Sequence, residues 1–292
     1  MFNGCLRILI QFSFCSLFKN VSSELLNRPT YATMLNLYNN YVAAAQTAET
    51  VTAQEIAEEN TFMNAVFNTD VMRKTYQFLR ARGKISQCKL QPFVFSISTF
   101  SELRRSWGVN NLKWNRSFAG EITGSKADFK RQVKELWFGM YSRAKGKLGS
   151  SGFEHVFLGE LKDGISGLHS WLRYYLEEKS GSMNYLGYIR TRSIGRVKSA
   201  TCNCFLKFDY DIFSLQNTLI EMPVSWRGEY KAFNSISVGA SPELEMALYT
   251  ICFLTRPNGS CPVEANGVRY RIQSFTSNYN GKRFIGTTYP SL

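Results

Sequence analysis

The feature that most constrains the fold is a change of hydrophobic pattern near the middle of the chain. Before it, the stretch 51–83 opens with a capping box from Thr52 to Glu55, and the stretch 124–146 carries apolar residues at helical spacing after Ser125. Both patterns are typical of amphipathic helices that bury one face. The first half of the chain is therefore predicted to be mostly helical.

The second half alternates polar and apolar residues over short runs that are separated by glycine-containing turns. These runs, and two helix patterns that lie between them, occupy 153–169, 169–181, 229–239, 241–254 and 268–290. Helices in one half and antiparallel hairpins in the other predict an α+β fold rather than a wound parallel sheet. We expect a mostly helical lobe over 24–147 and a C-terminal lobe of hairpins with helices over 148–292, which holds the active-site cleft.

The balance of charge favours a polyanionic partner. The chain has 35 Lys and Arg against 22 Asp and Glu, a formal net charge of +13, which is typical of proteins that bind nucleic acid or an anionic surface. The runs 188–208 and 265–292 contain basic and aromatic residues but no acid, a combination that binds the phosphates and unstacked bases of single-stranded nucleic acid. The alternatives are that the charge serves solubility and that each run is an ordinary solvated strand face.

The N-terminus resembles a secretory signal. Arg7 precedes an apolar run from Ile8 to Phe18, and small residues follow up to Ser23. We therefore expect a signal peptide over residues 1–23 and a secreted protein; the alternative is a core helix or strand in a cytoplasmic protein. No later stretch reaches the roughly 18 apolar residues of a transmembrane helix, so no membrane span is predicted.

Seven cysteines are present, and removal of Cys5 and Cys15 with a signal peptide would leave five, an odd number that defines no complete disulfide framework. Cys252 and Cys261 flank a Pro-Asn-Gly turn and can pair in an oxidising compartment. The Cys-Asn-Cys run at 202–204 lacks the spacing of a zinc knuckle. No metal site on cysteine is predicted.

The only two histidines, His155 and His169, lie on either side of an Asp163-Gly164 dipeptide. If this dipeptide is a two-residue hairpin turn, His169 lies opposite Leu158 and the two imidazoles are separated by about 10 Å along the hairpin. They can then approach one small group from its two sides, and His169 also begins a helix, whose positive end favours an anion. Two structural histidines with satisfied hydrogen bonds are the alternative.

Two imidazoles suit the cleavage of a phosphodiester in RNA. One takes the proton of the ribose 2′-hydroxyl and the other protonates the departing 5′-oxygen, because the imidazole pKa lies near neutral pH. The negative charge on the phosphorane requires a cation, which the histidines alone do not identify. A metallohydrolase with His155, Glu160 and His169 as ligands is an alternative, but their spacing matches no zinc motif.

Four segments closely resemble the EndoU family of uridylate-specific endoribonucleases: SGFEHVFLGE, GLHSWLRYYLEEK, QVKELWFGMYSR and GASPELEMALYTICF. The resemblance runs from about Ser23 to the C-terminus. It implies cleavage of RNA at uridines to leave 2′,3′-cyclic phosphate and 5′-hydroxyl ends, with stimulation by Mn²⁺. It also implies a catalytic core similar to that of coronaviral endoribonucleases.

The same resemblance implies the catalytic residues. His155 matches the family's first histidine, in the segment GFEHVF, and His169 matches the second, in the segment GLHSW. Lys231, in the segment SWRGEYKAFNS, matches the family's lysine, and an ammonium group meets the need for a cation at the phosphorane.

Further residues are implied to bind the base or to support the site. Ser235 is implied to lie near the uracil, and Thr287 and Tyr289 match the C-terminal residues that recognise the base. Glu154 and Glu160 match acidic residues that orient the histidines or attract the metal. Purely structural roles are the alternative for each of them.

The leading prediction is an endoribonuclease that acts on single-stranded RNA as a monomer, by a lyase-type attack of the 2′-hydroxyl. The alternative is a non-catalytic RNA-binding protein that uses the same basic, aromatic groove. Mn²⁺, whose ligands stay unknown, is expected to act through the RNA phosphates or the acidic residues, because a histidine that binds metal is not free to carry a proton.

Overall fold

The computed structural model describes residues 16–18, 21–83, 94–95, 112–114, 125–144, 146–186, 190–193, 218–265 and 268–292. Some predictions fall outside these residues, namely those for most of the signal segment, most of the basic run 188–208, and the cysteines at 5, 15, 88, 202 and 204. Among the helices in the described ranges, none combines the length and apolar character needed to span a bilayer.

The helices between residues 51 and 255 lie in the segments that capping and spacing patterns predict, and two short helices and a 3₁₀ turn before residue 40 were not predicted. Their bounds are α1 Ser23–Leu26, α2 Pro29–Asn36 with a 3₁₀ turn at Leu37–Asn39, α3 Ala53–Phe67, α4 Asp70–Gly83, α5 Lys126–Phe138, α6 Trp171–Lys179 and α7 Pro242–Thr255. The predicted capping box is present, since the Thr52 hydroxyl accepts the Glu55 N–H at 3.2 Å and the Glu55 carboxylate accepts the Thr52 N–H. The stretch 51–83 is two helices, because α3 ends at Phe67 and the Thr69 hydroxyl caps α4 by accepting the Met72 N–H at 3.3 Å.

The strands form antiparallel sheets, which confirms the predicted α+β class. Their bounds are β1 Val94–Phe95, β2 Leu112–Trp114, β3 Glu160–Leu161, β4 Ile165–Ser166, β5 Met183–Tyr185, β6 Arg190–Ser193, β7 Thr218–Trp226, β8 Glu229–Val238, β9 Gly259–Ala265, β10 Val268–Tyr279 and β11 Lys282–Ser291. One sheet has the order β1–β2–β9–β10–β11, and in another β7 pairs with β8 along one edge and with β5 and β6 along the other. The first sheet joins strands from both halves of the chain, and the lobe limits near residue 147 stay a prediction.

Helix α7 connects the helical and strand-rich parts. It is buried on nearly all sides and packs against α4 and β10, as its almost uniformly apolar sequence favours. The Trp137 indole of α5 donates to the Thr250 hydroxyl of α7 at 2.9 Å, and a disulfide joins Cys252 of α7 to Cys261 of β9. This is the disulfide that the position of the two cysteines on either side of the Pro-Asn-Gly turn predicts.

The segment of the first histidine differs from the predicted hairpin. Glu154–Leu158 form a turn of π-helix instead of a strand, and the hairpin is confined to β3 and β4, with Glu160 opposite Ser166. The helical turn begins where the Ser151 hydroxyl accepts the Glu154 N–H at 3.2 Å, and it ends at Gly159, whose φ is 83°. The prediction that His169 lies opposite Leu158 in a hairpin is therefore wrong, because local capping overrides the alternating pattern.

Candidate active site

Six of the predicted site residues line one cavity of about 290 Å³. Its walls are formed by His155, Gly167, His169, Glu221, Lys231, Phe233, Asn234, Ser235, Thr287 and Tyr289. These residues come from the π-turn, the β4–α6 connection, β7, β8 and β11, all within the predicted C-terminal lobe. The two predicted glutamates, Glu154 and Glu160, lie behind the wall and not on it.

Backbone hydrogen bonds hold the two histidine segments together. The Leu168 N–H donates to the His155 carbonyl at 2.9 Å, and the His169 N–H donates to the Val156 carbonyl at 2.7 Å. The chain reaches this contact through Gly167, with φ of 66°, and Leu168, with φ of 68°. A Cβ at Gly167 would lie 1.7 Å from the His155 carbonyl oxygen, so only glycine permits this approach.

His155 is buried and is held by a carboxylate. Its Nδ1 lies 2.7 Å from Glu160 Oε2, and the same carboxylate lies 3.3 Å from Arg143 Nε. Burial lowers the pKa of the His155 imidazole below its ordinary value, and the bond to Glu160 offsets only part of this effect. Burial opposes ionisation of Glu160, but the hydrogen bond from His155 and the charges of His155 and Arg143 outweigh it and lower the pKa of this carboxyl. Nδ1 therefore donates to an ionised carboxylate, which leaves Nε2 with a lone pair for proton transfer.

His169 is buried on the other side of the cavity. Its Nδ1 lies 2.9 Å from the Ser235 carbonyl oxygen, so Nδ1 carries a proton and donates it. One face of the ring stacks on Tyr289 with a centroid separation of 4.6 Å and an interplanar angle of 14°. Burial holds the pKa of His169 well below its ordinary value, and the charge of Lys231 lowers it further. Both imidazoles thus have Nδ1 bonded and Nε2 available.

Lys231 supplies the cation. Its Nζ donates to the Gly167 carbonyl at 2.6 Å, and burial lowers the pKa of the ammonium group to about 8. The group therefore stays charged at neutral pH and is fixed to the backbone that joins the two histidines.

A β-bulge in β8 lies between Lys231 and Ser235, both of which line the cavity. Val224 pairs with Lys231 and Met222 with Asn234, so two residues of β8 oppose the single Pro223. Proline has no N–H for the ladder and is tolerated in a strand at such a bulge. Opposite residues share a face of the sheet, so Lys231 lies on the face of Val224. The extra residue shifts the alternation of side chains between Lys231 and Ser235 by one position.

A second bulge positions the residues of β11. Thr287 pairs with Phe275 and Ile285 with Thr276, so Gly286 is an extra residue in β11. A Cβ at Gly286 would lie 2.8 Å from the Thr276 carbonyl carbon, which explains the glycine. The Thr287 hydroxyl oxygen is buried at the cavity, and it has no hydrogen-bond partner within the part of the chain that the structure describes. An unpaired buried hydroxyl is costly unless a ligand satisfies it.

Glu154 is a buried acid behind the cavity. Burial and the neighbouring carboxylates of Glu49 and Glu160 raise the pKa of Glu154 well above its ordinary value. This environment disfavours the ionised form of Glu154, which a metal ligand requires.

The carboxylates around the cavity do not fit a resident Mn²⁺ ion. Glu160 is bound by His155 and Arg143, burial disfavours the ionised form of Glu154, and Glu221 accepts the Leu292 N–H at 3.0 Å. Across the described ranges, no three or more His, Cys, Asp and Glu side chains are arranged to hold a metal. No step is therefore derived through a protein-bound ion.

Sequence reasoning missed Gly167, Glu221, Phe233 and Asn234. The Asn234 side-chain amide donates to the Leu168 carbonyl and to the Tyr174 hydroxyl, and it thereby holds the residue that precedes His169. Two features of the sequence could have pointed to some of these residues. Pro223 inside a strand pattern indicates a bulge, and Phe233 and Asn234 lie between the two predicted residues of the segment KAFNS.

We predict that Gly167→Ala disrupts the site while Gly181→Ala does not. Both glycines have left-handed φ angles, 66° and 73°, but a Cβ at Gly181 has nothing within 4 Å. Both variants therefore carry similar backbone strain, of about 1 kcal/mol, and only Gly167→Ala adds the clash with the His155 carbonyl. The ring signals of the two histidines, followed by NMR, should shift in Gly167→Ala and stay in place in Gly181→Ala. Unchanged signals in Gly167→Ala would contradict the described contact.

The sequence matches the family Endoribonuclease XendoU over residues 13–107 and 115–290. Uridylate-specific endoribonuclease D of Xenopus laevis is 35% identical over 275 residues, which cover 92% of this chain and 72% of that protein. The human uridylate-specific endoribonuclease is 34% identical over 278 residues, which cover 94% of this chain and 54% of that protein.

A solved structure gives the same result. The structure of XendoU, described as a splicing independent snoRNA processing endoribonuclease, has a TM-score of 0.63 and 29% identity, covering 94% of this chain and 83% of that chain. The match therefore extends over nearly the whole chain, including every residue that lines the cavity. This chain belongs to the XendoU family of endoribonucleases.

Proposed function

We propose that the protein is a uridylate-specific endoribonuclease that cleaves single-stranded RNA. The observation that carries the proposal is the cavity in which His155, His169 and the Lys231 ammonium group meet. Relatives named uridylate-specific endoribonuclease, matched over more than nine-tenths of this chain, support the same activity. A non-catalytic RNA-binding protein would have no need of two imidazoles with free Nε2 atoms beside a buried cation.

The proposed reaction is a transesterification within the RNA. The ribose 2′-oxygen attacks phosphorus and loses its proton to one imidazole, while the bond from phosphorus to the 5′-oxygen breaks and the other imidazole protonates that oxygen. The products are a 2′,3′-cyclic phosphate and a 5′-hydroxyl, so the reaction is a lyase-type cleavage and later hydrolysis of the cyclic phosphate is not required. Each proton transfer contributes about 10²–10⁴-fold. His155 and His169 share these roles in an order that the pH experiment below assigns.

Lys231 stabilises the charge that develops on the phosphorane. Its bond to the Gly167 carbonyl holds the ammonium group beside both histidines before substrate binds, so little reorganisation is needed during the reaction. Loss of one such donor typically lowers kcat about 10²–10³-fold.

Uridine recognition is assigned to the β11 side of the cavity with Ser235. The Thr287 hydroxyl is unpaired in its cavity position, so a polar edge of uracil can satisfy it. Tyr289, held by its stack on His169, provides an aromatic ring beside that hydroxyl. This arrangement links base recognition to one of the two proton carriers.

Mn²⁺ is proposed to act through the RNA phosphates rather than through a histidine. The Nδ1 atoms of both histidines are engaged by Glu160 and by the Ser235 carbonyl, and a metal on either Nε2 would prevent proton transfer. Coordination of Mn²⁺ by an imidazole in a crystal structure would contradict this proposal.

We also propose that the protein is secreted and monomeric. The disulfide between Cys252 and Cys261 suits an oxidising compartment. Mass spectrometry of protein from the culture medium, combined with light scattering, tests both points. Retention in the cell with an uncleaved N-terminus, or a dimer mass, would count against them.

The activity is tested with an oligonucleotide that has one ribo-uridine in a deoxy backbone. Wild-type protein should cut only at the ribo-uridine and leave a cyclic phosphate, because the nucleophile is the 2′-hydroxyl of that residue. His155→Ala should lower the cutting rate by about 10²–10⁴-fold and leave binding unchanged. The products are identified by mass spectrometry.

Three controls accompany this assay. An all-deoxy oligonucleotide should bind without being cut, and a ribo-adenosine substrate should be cut poorly. Parallel reactions with Mn²⁺ and with EDTA report whether the metal stimulates. Folded wild-type protein that binds the RNA but cuts no substrate would support the non-catalytic alternative instead.

We predict that Glu160→Gln lowers the pKa of His155 further. The carboxylate partly offsets the effect of burial on this imidazole, and a neutral amide removes that offset while it can still accept from Arg143. Glu177→Gln is the matched control, because Glu177 is also a buried glutamate paired with an arginine, Arg173, at 2.7 Å, but it does not line the cavity.

NMR titration of the two histidines measures this change directly. The pKa of His155 should fall in Glu160→Gln and stay constant in Glu177→Gln. The profile of kcat/KM against pH then assigns the roles. If His155 is the general base, it must be neutral, and the acidic limb of the profile moves to lower pH in Glu160→Gln. If His155 is the general acid, it must be protonated, and the alkaline limb of the profile moves to lower pH instead. An unchanged His155 pKa would contradict the described hydrogen bond.

A further inference from the structure

Phe233 is the most exposed large hydrophobic side chain of the described residues, and it lies at the cavity. It is 70% exposed and forms part of the cavity wall. Burial of a phenylalanine side chain normally stabilises a protein by about 1.5–3 kcal/mol. Because the Phe233 ring is mostly exposed at the cavity, it contributes little of this stabilisation.

The exposure follows from the bulge in β8. Ala232 and Phe233 are the two residues that oppose Pro223, and a bulge changes the direction of its side chains. On either side of the Ala232–Phe233 pair, the Lys231 side chain is bonded to the Gly167 carbonyl and the Asn234 side chain to the Leu168 carbonyl. The strand that carries the Phe233 ring is therefore anchored to the cavity wall on both sides of the bulge.

The position of Phe233 separates it from the uracil site proposed above. It is two residues from both Lys231 and Ser235, about 7 Å along an extended strand. Thr287, whose hydroxyl is unpaired, and Tyr289 lie on a different strand, β11. A second base would therefore meet Phe233 while the first occupies the β11 side.

We propose that Phe233 is a stacking subsite for the nucleobase of a nucleotide that adjoins the cleaved uridine. The proposal rests on the proposed endoribonuclease function. An RNA base is the occupant that the site favours, because the ring is continuous with the cavity, adjoins the Lys231 cation and belongs to a chain of net charge +13. Stacking accepts any base, since each presents a π face, and it contributes about 1–3 kcal/mol per base.

The test compares trinucleotides with a central ribo-uridine. One has deoxynucleotides on both sides, and two others have an abasic residue on the 5′ or the 3′ side. Phe233→Ala should raise KM for the full trinucleotide by about 5- to 150-fold, the equivalent of that stacking energy, with little change in kcat. Phe233→Trp should retain the wild-type KM, while Phe233→Leu, which is apolar without a π face, should behave like alanine.

The abasic substrates identify the partner of the ring. On the substrate that lacks the stacked base, wild type and Phe233→Ala should have the same KM. Tyr230→Ala is the matched control, because Tyr230 is a 56% exposed aromatic residue of the same strand that does not line the cavity, and its KM should equal that of wild type.

Failure of this inference is distinct from failure of the proposed function. If wild type cuts and Phe233→Ala has an unchanged KM, or an equal rise on all three substrates, Phe233 is not a stacking subsite. A change of molar mass in Phe233→Ala, measured by light scattering, would assign the ring to a protein contact and overturn the inference. If wild type cuts none of the substrates, the proposed function itself fails.

Discussion

The site depends on the backbone contact between residues 155–156 and residues 168–169. Two N–H donors from the second segment bond to two carbonyls of the first, and they fix the origins of both histidine side chains relative to each other. The contact exists only because Gly167 has no Cβ, and the Gly167 carbonyl also holds the Lys231 ammonium group. One small segment thus sets the position of both imidazoles and of the ammonium group.

Burial of these three groups determines their charge. Desolvation lowers the pKa of each of them, and each is held by one acceptor: the Glu160 carboxylate, the Ser235 carbonyl and the Gly167 carbonyl. The imidazoles are therefore mostly neutral before substrate binds, while the lysine stays charged. A phosphate in the cavity would favour protonation of an imidazole.

Much of the fold was predictable where the signal is local. The caps at Thr52 and Ser125 lie where the sequence predicts them, because such caps are satisfied by a residue three positions away. Helix α7 begins at Pro242 as predicted, since proline favours the first helical position, although the Ser241 side chain makes no cap hydrogen bond. The strand at His155 was predicted wrongly, since alternation over a few residues does not distinguish a strand from one buried helical turn. Lys231 was identified only by resemblance, because no local pattern marks a lysine as a cation for a phosphorane.

The sequence by itself determined the residue types, the α+β class and the two histidines, because composition, caps and scarce residues are properties of the chain alone. Tertiary structure alone decided where the side chains meet. The bulges opposite Pro223 and at Gly286 each insert one residue, the first between Lys231 and Ser235 and the second directly before Thr287, and all three residues line the cavity. A bulge depends on the register between two strands, and that register is defined only when the strands pair.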